Sequence, residues 1–256
     1  MICRALTQLW LAAVLVLSMA YWAVGGLLFV LAGLVLVPLL SAEKSRELGQ
    51  SLLQTAFRGF LRLLRLCGVF ECEFRGFEAL DGATGGLIIA PNHPALWDAV
   101  FVIAKVSGLR CILKASLMHN PFLRGGAKLA GFIPNKPAHK MLQHSIEALR
   151  QGDRLLFFPE GTRTRKQEDV INSFQGGLGI IATQSSAPVW PVFIETNSDY
   201  LCKGWPLWRL PDRKIRLRIT LGEPLASPAD EGAAAFTRRL REVYVTALGG
   251  RPDKTP

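Results

Sequence analysis

Ile88-Ile89-Ala90-Pro91-Asn92-His93-Pro94-Ala95-Leu96-Trp97-Asp98 decides how the rest of the chain is read. The run from Gly86 to Ala90 is short, apolar and β-branched, and Gly and Pro bound it, so it is expected to be a buried strand. Pro91 and Pro94 bracket a turn. Pro94 suits the first position of a helix, where no backbone donor is needed, so a helix is expected to open there with Asp98 about one turn inside. Residues five apart on one regular helix point roughly 140° away from each other. His93 and Asp98 can therefore meet only if His93 lies in the turn and Asp98 reaches back. Together they would form an imidazole oriented by a carboxylate, the equipment of a general base. A capping histidine beside a surface aspartate is the plainer alternative.

A second apolar run ends in a similar turn: Leu155-Leu156-Phe157-Phe158-Pro159-Glu160-Gly161-Thr162-Arg163-Thr164-Arg165. Gly161 lets backbone approach a ligand. Thr162, Arg163 and Arg165 supply donors, and the guanidinium fork matches phosphate oxygens. By itself this stretch is equally an exposed basic loop.

Asn-His-Pro-x3-Asp followed by Phe-Pro-Glu-Gly-Thr-Arg resembles the signature of the glycerolipid acyltransferases, typified by bacterial 1-acylglycerol-3-phosphate acyltransferase. The resemblance runs from about Phe70 to Thr220. It implies an α/β fold with a mixed sheet flanked by helices. It implies acyl transfer from acyl-CoA or acyl carrier protein to a hydroxyl of a lysophospholipid, 1-acylglycerol-3-phosphate giving phosphatidic acid, with no metal and no resident cofactor. His93 is then the general base and Asp98 its orienting partner, with Glu160, Gly161, Thr162 and Arg163 holding the head group. Lys114 matches the family's lysine at the end of the next strand, and a Pro-Phe turn at Pro121-Phe122 opens the following helix. The chain departs from the family at two places. Where the family has an arginine thought to bind the acceptor's phosphate, no arginine is present here and the nearest cation is Lys136, and Gln175 stands where a lysine is common. Lysine binds phosphate as a point charge without bidentate geometry. Another lysophospholipid, an acylated amino-acid lipid or a secondary lipid is therefore a real alternative acceptor. A lipid hydrolase and a non-catalytic membrane module are the rivals from other classes.

The 256 residues allow one sizeable domain and an appendage. The net charge of +10 points to an anionic partner, and no nucleic-acid-binding motif is present. Five scattered cysteines without a Cys-x2-Cys pair read as reduced thiols, with no zinc site. No charge occurs from Ala5 to Ala42. As one helix this stretch would exceed roughly 50 Å, against about 30 Å of hydrocarbon, and Gly25-Gly26 divides it into two pieces. Arg4 before it and Lys44 and Arg46 after it favour a helical hairpin with both ends in the cytoplasm, one tilted span being the alternative. The expected organisation is a membrane anchor over 1–42, an amphipathic interfacial helix over 43–68 and a catalytic domain over 69–256. The catalytic domain would face the cytoplasm at the inner membrane.

Within the domain, Val69 to Phe77 and Lys214 to Leu221 alternate as half-wet strands. His139 to Gln151 carries a helical stripe, and His119 reads as structural. Lys166-Gln167-Glu168-Asp169 reads as a polar loop. Ala187 to Phe193 reads as core and acyl-pocket wall, and a helix is expected from Ser227-Pro228 to Leu248. Trp205 and Trp208, set among Lys203, Arg209 and Arg213, suit a membrane interface or a packed loop.

Overall fold

The computed structural model describes residues 2–165, 170–211, 213–228 and 230–249. The expected polar loop at 166–169 and the last residues lie outside these. In chain order the elements are α1 (Ile2–Leu39), α2 (Ala42–Leu66), β1 (Phe70–Arg75), β2 (Leu87–Pro91), α3 (Asp98–Lys105), β3 (Leu109–Leu113), α4 (Pro121–Leu129) and β4 (Ile133–Pro134). They continue with α5 (Ala138–Arg150), β5 (Arg154–Leu156), α6 (Gly177–Ser185), β6 (Val189–Thr196), β7 (Ile215–Leu221) and α7 (Ala233–Gly249).

The strands form one mixed sheet in the order β1-β7-β6-β2-β5-β3-β4. Every neighbouring pair is parallel except β6 and β7. β2 lies at the centre and all five of its residues are buried. Its side chains alternate between two cores. Leu87 and Ile89 join Phe60, Phe101 and Val102 beneath the α2–α3 layer. Ile88 and Ala90 join Ile146, Ile181 and Phe236 beneath α5, α6 and α7. Burial on both faces is why this strand reads as an unbroken apolar run. β7 has one wet face and sits next to the edge strand β1.

The amino-terminal helices depart from the expected hairpin. α1 runs without a break through Gly25 and Gly26, and the chain reverses at Leu40-Ser41 instead. Two glycines cost a helix roughly 1 kcal/mol each, too little to end one that has 38 residues. The start signal sits at Ser41, whose hydroxyl accepts from the Lys44 N–H. α2 returns antiparallel along α1. Trp10 Nε1 donates to the Cys67 carbonyl at 3.0 Å and Tyr21 Oη to the Ala56 carbonyl at 2.6 Å. α1 is long and apolar enough to cross a membrane. Its outer face, with Leu9, Val16, Leu27 and Leu34, is exposed along the whole length.

Neither helix is detached from the domain. Phe60 of α2 is fully buried and touches Trp22 at 5.0 Å and Trp97 at 4.9 Å between ring centres. Exposed Arg58, Arg62 and Arg65 form the opposite face of α2, with Arg58 Nε donating to the Ala104 carbonyl. α4 meets α1 backbone to backbone: a Cβ on Gly125 would stand 2.8 Å from the Phe29 carbonyl oxygen and 2.8 Å from Val30 Cα. The expected helix from Ser227 starts later, at Ala233. Leu225 is held by paired backbone bonds to Val189, which keeps the preceding segment extended.

Gly125→Ala tests the close approach. Helix propensity alone would add up to about 1 kcal/mol, while overpacking costs about 1–3 kcal/mol. We expect a lower Tm and faster hydrogen exchange in α1. A variant as stable as the parent would show that the helices can separate freely.

Candidate active site

β2 and β5 are adjacent and parallel, so the turns that follow them emerge side by side. β2 continues into its turn through Asn92. The buried Asn92 side chain accepts from the Ile194 N–H at 2.6 Å and donates to the Ile194 carbonyl at 3.0 Å. It thereby extends the β2–β6 ladder past the last strand residue. The expected helix at Pro94 is absent. Residues 94–97 form turns and α3 begins at Asp98. Asp98 Oδ2 accepts from the Ala95 N–H at 2.7 Å and from His93 Nδ1 at 2.8 Å, so the carboxylate reaches back across the turn it closes. This is the geometry that the five-residue spacing demands.

Nδ1 therefore carries the proton, and Nε2 has no protein partner among the described residues. The His93 side chain is 19% exposed, whereas that of Asp98 is fully buried. Phe158 lies against the imidazole with ring centres 4.2 Å apart. Burial pushes the Asp98 carboxyl above its ordinary range, opposed by His93, the Ala95 N–H and the nearby Arg163 charge. Its second oxygen, Oδ1, is buried without a partner.

The two turns are locked together by main-chain contacts. Glu160 is only 2% exposed. Its Oε1 accepts from the His93 N–H and the Thr164 hydroxyl, both at 2.8 Å, and its Oε2 accepts from the Asn172 N–H at 3.1 Å. Thr164 N–H in turn donates to the His93 carbonyl at 2.7 Å. Glu160 is thus a clamp beneath the site, where the family resemblance had implied a head-group residue. Its oxygens are taken by protein donors. Burial also raises the Glu160 carboxyl, and these same donors oppose the rise.

Gly161 adopts φ +63°, and a Cβ there would stand 3.0 Å from Gln175, so both conformation and space require glycine. Arg163 Nη1 donates to the Leu201 and Cys202 carbonyls, each at 2.9 Å. Three further guanidinium N–H groups remain on Nε and Nη2. Thr162 accepts from Lys203 Nζ at 3.3 Å, which brings to the rim a cation that the motifs had not assigned. Lys114 and Lys136 are exposed at the carboxyl ends of β3 and β4. They share the sheet edge with His93, but lie two and three strands away from β2, roughly 10 and 14 Å at the usual strand spacing. His119 is exposed in the turn before α4.

Sequence reasoning also missed Tyr244. This fully buried residue of α7 donates its hydroxyl to the Ala90 carbonyl, just below the turn. A lone tyrosine in an amphipathic helix carries no signal for that role. The four cysteines whose side chains are described are all free thiols, and burial pushes Cys72 and Cys111 up to about 12.

Residues 72–195 match the family model described as Acyltransferase. Both turns of the site lie within this stretch, which is similar to acyltransferases. It resembles the structure of the 1-acyl-sn-glycerophosphate acyltransferase from Thermotoga maritima, with a TM-score of 0.67 and 20% identity over 94% of this chain and 98% of that one. It is 23% identical to a chloroplastic 1-acyl-sn-glycerol-3-phosphate acyltransferase of Brassica napus over 48% of this chain and 37% of the relative. It is 30% identical to the lyso-ornithine lipid O-acyltransferase of Pseudomonas aeruginosa over 54% of this chain and 53% of that protein. The chain thus spans about a third to a half of the length of these two relatives. The Thermotoga maritima structure shares the mixed sheet flanked by helices.

Asp98→Asn separates charge from shape. The amide oxygen can keep both accepted bonds while its NH2 occupies the position of unpartnered Oδ1. A carboxyl whose folded pKa is raised costs stability above that pKa and none below the unfolded value, so its penalty grows as pH rises through the window. We expect the variant to match or exceed the parent's Tm at pH 8, with the difference shrinking towards pH 4. A variant that is less stable at pH 8 would contradict this electrostatic account.

Proposed function

We propose that the protein is a membrane-bound O-acyltransferase that moves a fatty acyl group from acyl-CoA or acyl carrier protein to a lysophospholipid hydroxyl. The first acceptor is 1-acylglycerol-3-phosphate, and the product is phosphatidic acid. The observation that carries this reading is the His93 Nδ1 to Asp98 Oδ2 bond, which leaves Nε2 as the basic atom at the partly open rim. His93 Nε2 takes the acceptor's hydroxyl proton as that oxygen attacks the thioester carbonyl. The tetrahedral intermediate expels the thiolate, which receives the proton from the imidazolium. Asp98 stabilises the imidazolium and fixes the tautomer, as in serine hydrolase pairs. The attacking oxygen belongs to the acceptor, so no enzyme nucleophile takes part.

Thr162, the remaining donors of Arg163, and Lys203 form the cradle for the head-group phosphate beside His93. Gly161 keeps the cradle's backbone accessible. Lys114 and Lys136 extend the positive rim towards the far end of the acceptor or donor. The cluster that follows α1, with Lys44, Arg46 and the α2 arginines, supports a domain on the cytoplasmic side of the inner membrane. A second acceptor, an acylated amino-acid lipid, is favoured by Lys136 and Gln175 at two positions where the family carries stronger phosphate ligands. It also fits the identity to the Pseudomonas aeruginosa relative, which is named for lyso-ornithine lipid.

Lipid mass spectrometry tests both acceptors. Membranes carrying the protein or its His93→Ala variant are incubated with acyl thioester and a panel of lyso-acceptors. We expect diacyl product from lysophosphatidic acid, and a loss of about 10²–10⁴ in rate for the variant, which remains folded. Undiminished transfer by His93→Ala would overturn the mechanism. Product from lyso-ornithine lipid alone would reassign the acceptor, and product without thioester would point to hydrolase or transacylase chemistry.

A further inference from the structure

The stretch 198–211, between β6 and β7, contacts both catalytic turns and also reaches the surface beside α1. On its inner side, Leu201 adopts φ +62° and, with Cys202, presents its carbonyl to Arg163. The Leu96 N–H donates to the Leu201 carbonyl at 3.0 Å, so the His93 turn is tied to the same residue. Three successive turns, closed by Cys202 N–H to Asp199, Trp205 N–H to Cys202 and Arg209 N–H to Pro206, stiffen the stretch. Trp205 is held between Tyr200 and the Arg209 guanidinium, which lies 4.5 Å from its ring centre. On the outer side Trp208 is 78% exposed and Leu207 54%, beside exposed Lys203 and Arg209.

The location defines what this surface meets. A small cavity of about 30 Å³ is bounded together by Leu11 and Val14 of α1, Leu64 of α2, and Trp97, Tyr200 and Pro211. The amino-terminal part of α1, the end of α2 and this loop therefore converge at one place. That place carries Trp10, Arg65 and Leu66 as exposed neighbours in sequence of the cavity residues. Exposed tryptophan and leucine interleaved with cations, continuous with a helix whose outer face is largely apolar, match the headgroup layer of an anionic bilayer.

We propose that the 198–211 loop is a second membrane-contact element. Leu207 and Trp208 enter the boundary layer, Arg209 meets lipid phosphates, and the docked loop holds the Leu201 and Cys202 carbonyls on Arg163 so that the site is set when its lipid substrate is at hand. Trp208 is a positioning residue, since it touches neither catalytic turn. The effect on turnover rests on the acyltransferase reading, whereas the membrane contact does not.

The test uses the full chain in vesicles of phosphatidylcholine, alone or mixed with phosphatidylglycerol. Lipids brominated on their acyl chains should quench the parent's fluorescence more than that of Trp208→Phe, the difference being Trp208 itself. Trp208→Ala should lower kcat on vesicle-borne acceptor by about tenfold, the loss expected for one buried aromatic contact. It should leave transfer to a dissolved short-chain acceptor unchanged, and Trp208→Phe should restore most of the vesicle rate. Arg209→Ala should reduce the advantage of phosphatidylglycerol vesicles by roughly fivefold. Trp208 untouched by the brominated lipids would overturn the proposal. So would an equal loss on dissolved and vesicle-borne acceptor, or a loss confined to reactions with acyl carrier protein, which would assign the loop to a protein partner. Quenching of Trp208 in a chain that transfers no acyl group would uphold the contact and reject the acyltransferase reading.

Discussion

Glu160 sits where three stretches of chain need an acceptor at once: the His93 N–H from one turn, the Thr164 hydroxyl from the other, and the Asn172 N–H from the segment that returns towards α6. An unsatisfied buried polar group costs about 1–3 kcal/mol, so these donors would be expensive to leave unpaired. One carboxylate serves them all, and the reciprocal Thr164 N–H to His93 carbonyl bond closes a ring through both turns. Imidazole and guanidinium keep their spacing because the backbones that carry them are bonded to each other, independently of any contact between the side chains. The carboxylate must be buried to do this, which raises its pKa.

The sheet explains why this junction forms at the centre. β2 has parallel neighbours on both sides, β5 and β6, and the chain leaves β2 towards β3 on one side while it leaves β6 towards β7 on the other. In open α/β sheets the crevice beyond the carboxyl ends at such a point is where ligands bind. Asn92 carries the β2–β6 pairing one residue further with its side-chain amide, so His93 leaves the strand from a fully hydrogen-bonded base. Asp98 beneath it has one idle oxygen in a dry setting. There a charge interacts with the imidazole far more strongly than it would in water.

Local chemistry made part of this legible from sequence. The apolar runs before His93 and Glu160 announced two central strands, and the five-residue spacing forced Asp98 to reach back over a turn. The start of α3 was misplaced because Pro94 has the right φ for a first helical residue. What decides against a helix there is the bond from the Ala95 N–H to Asp98, which folds the intervening residues into a turn. The resemblance put Glu160 among the head-group residues, while its burial and its three protein donors are set by distant segments and leave no local mark. The break expected at Gly25-Gly26 failed for a related reason. Glycine ends a helix when the surroundings offer a better conformation, and along α1 they do not. Contacts between distant segments, such as Tyr244 with Ala90 or Arg163 with Leu201, leave no mark in local pattern.

The glycine contact between α1 and α4 bears on breadth of substrate. α4 follows the turn that carries Lys114 and leads into the strand that ends before Lys136. Its backbone rests directly on α1, with no compressible side chain between them at Gly125. The outer end of the cationic rim is therefore braced by the apolar helix itself. On the reading proposed above, a bulkier polar head would be admitted by remodelling the β3–α4 turn. Changes of acceptor during divergence would then be expected to fall in that turn while the buried clamp stayed as it is.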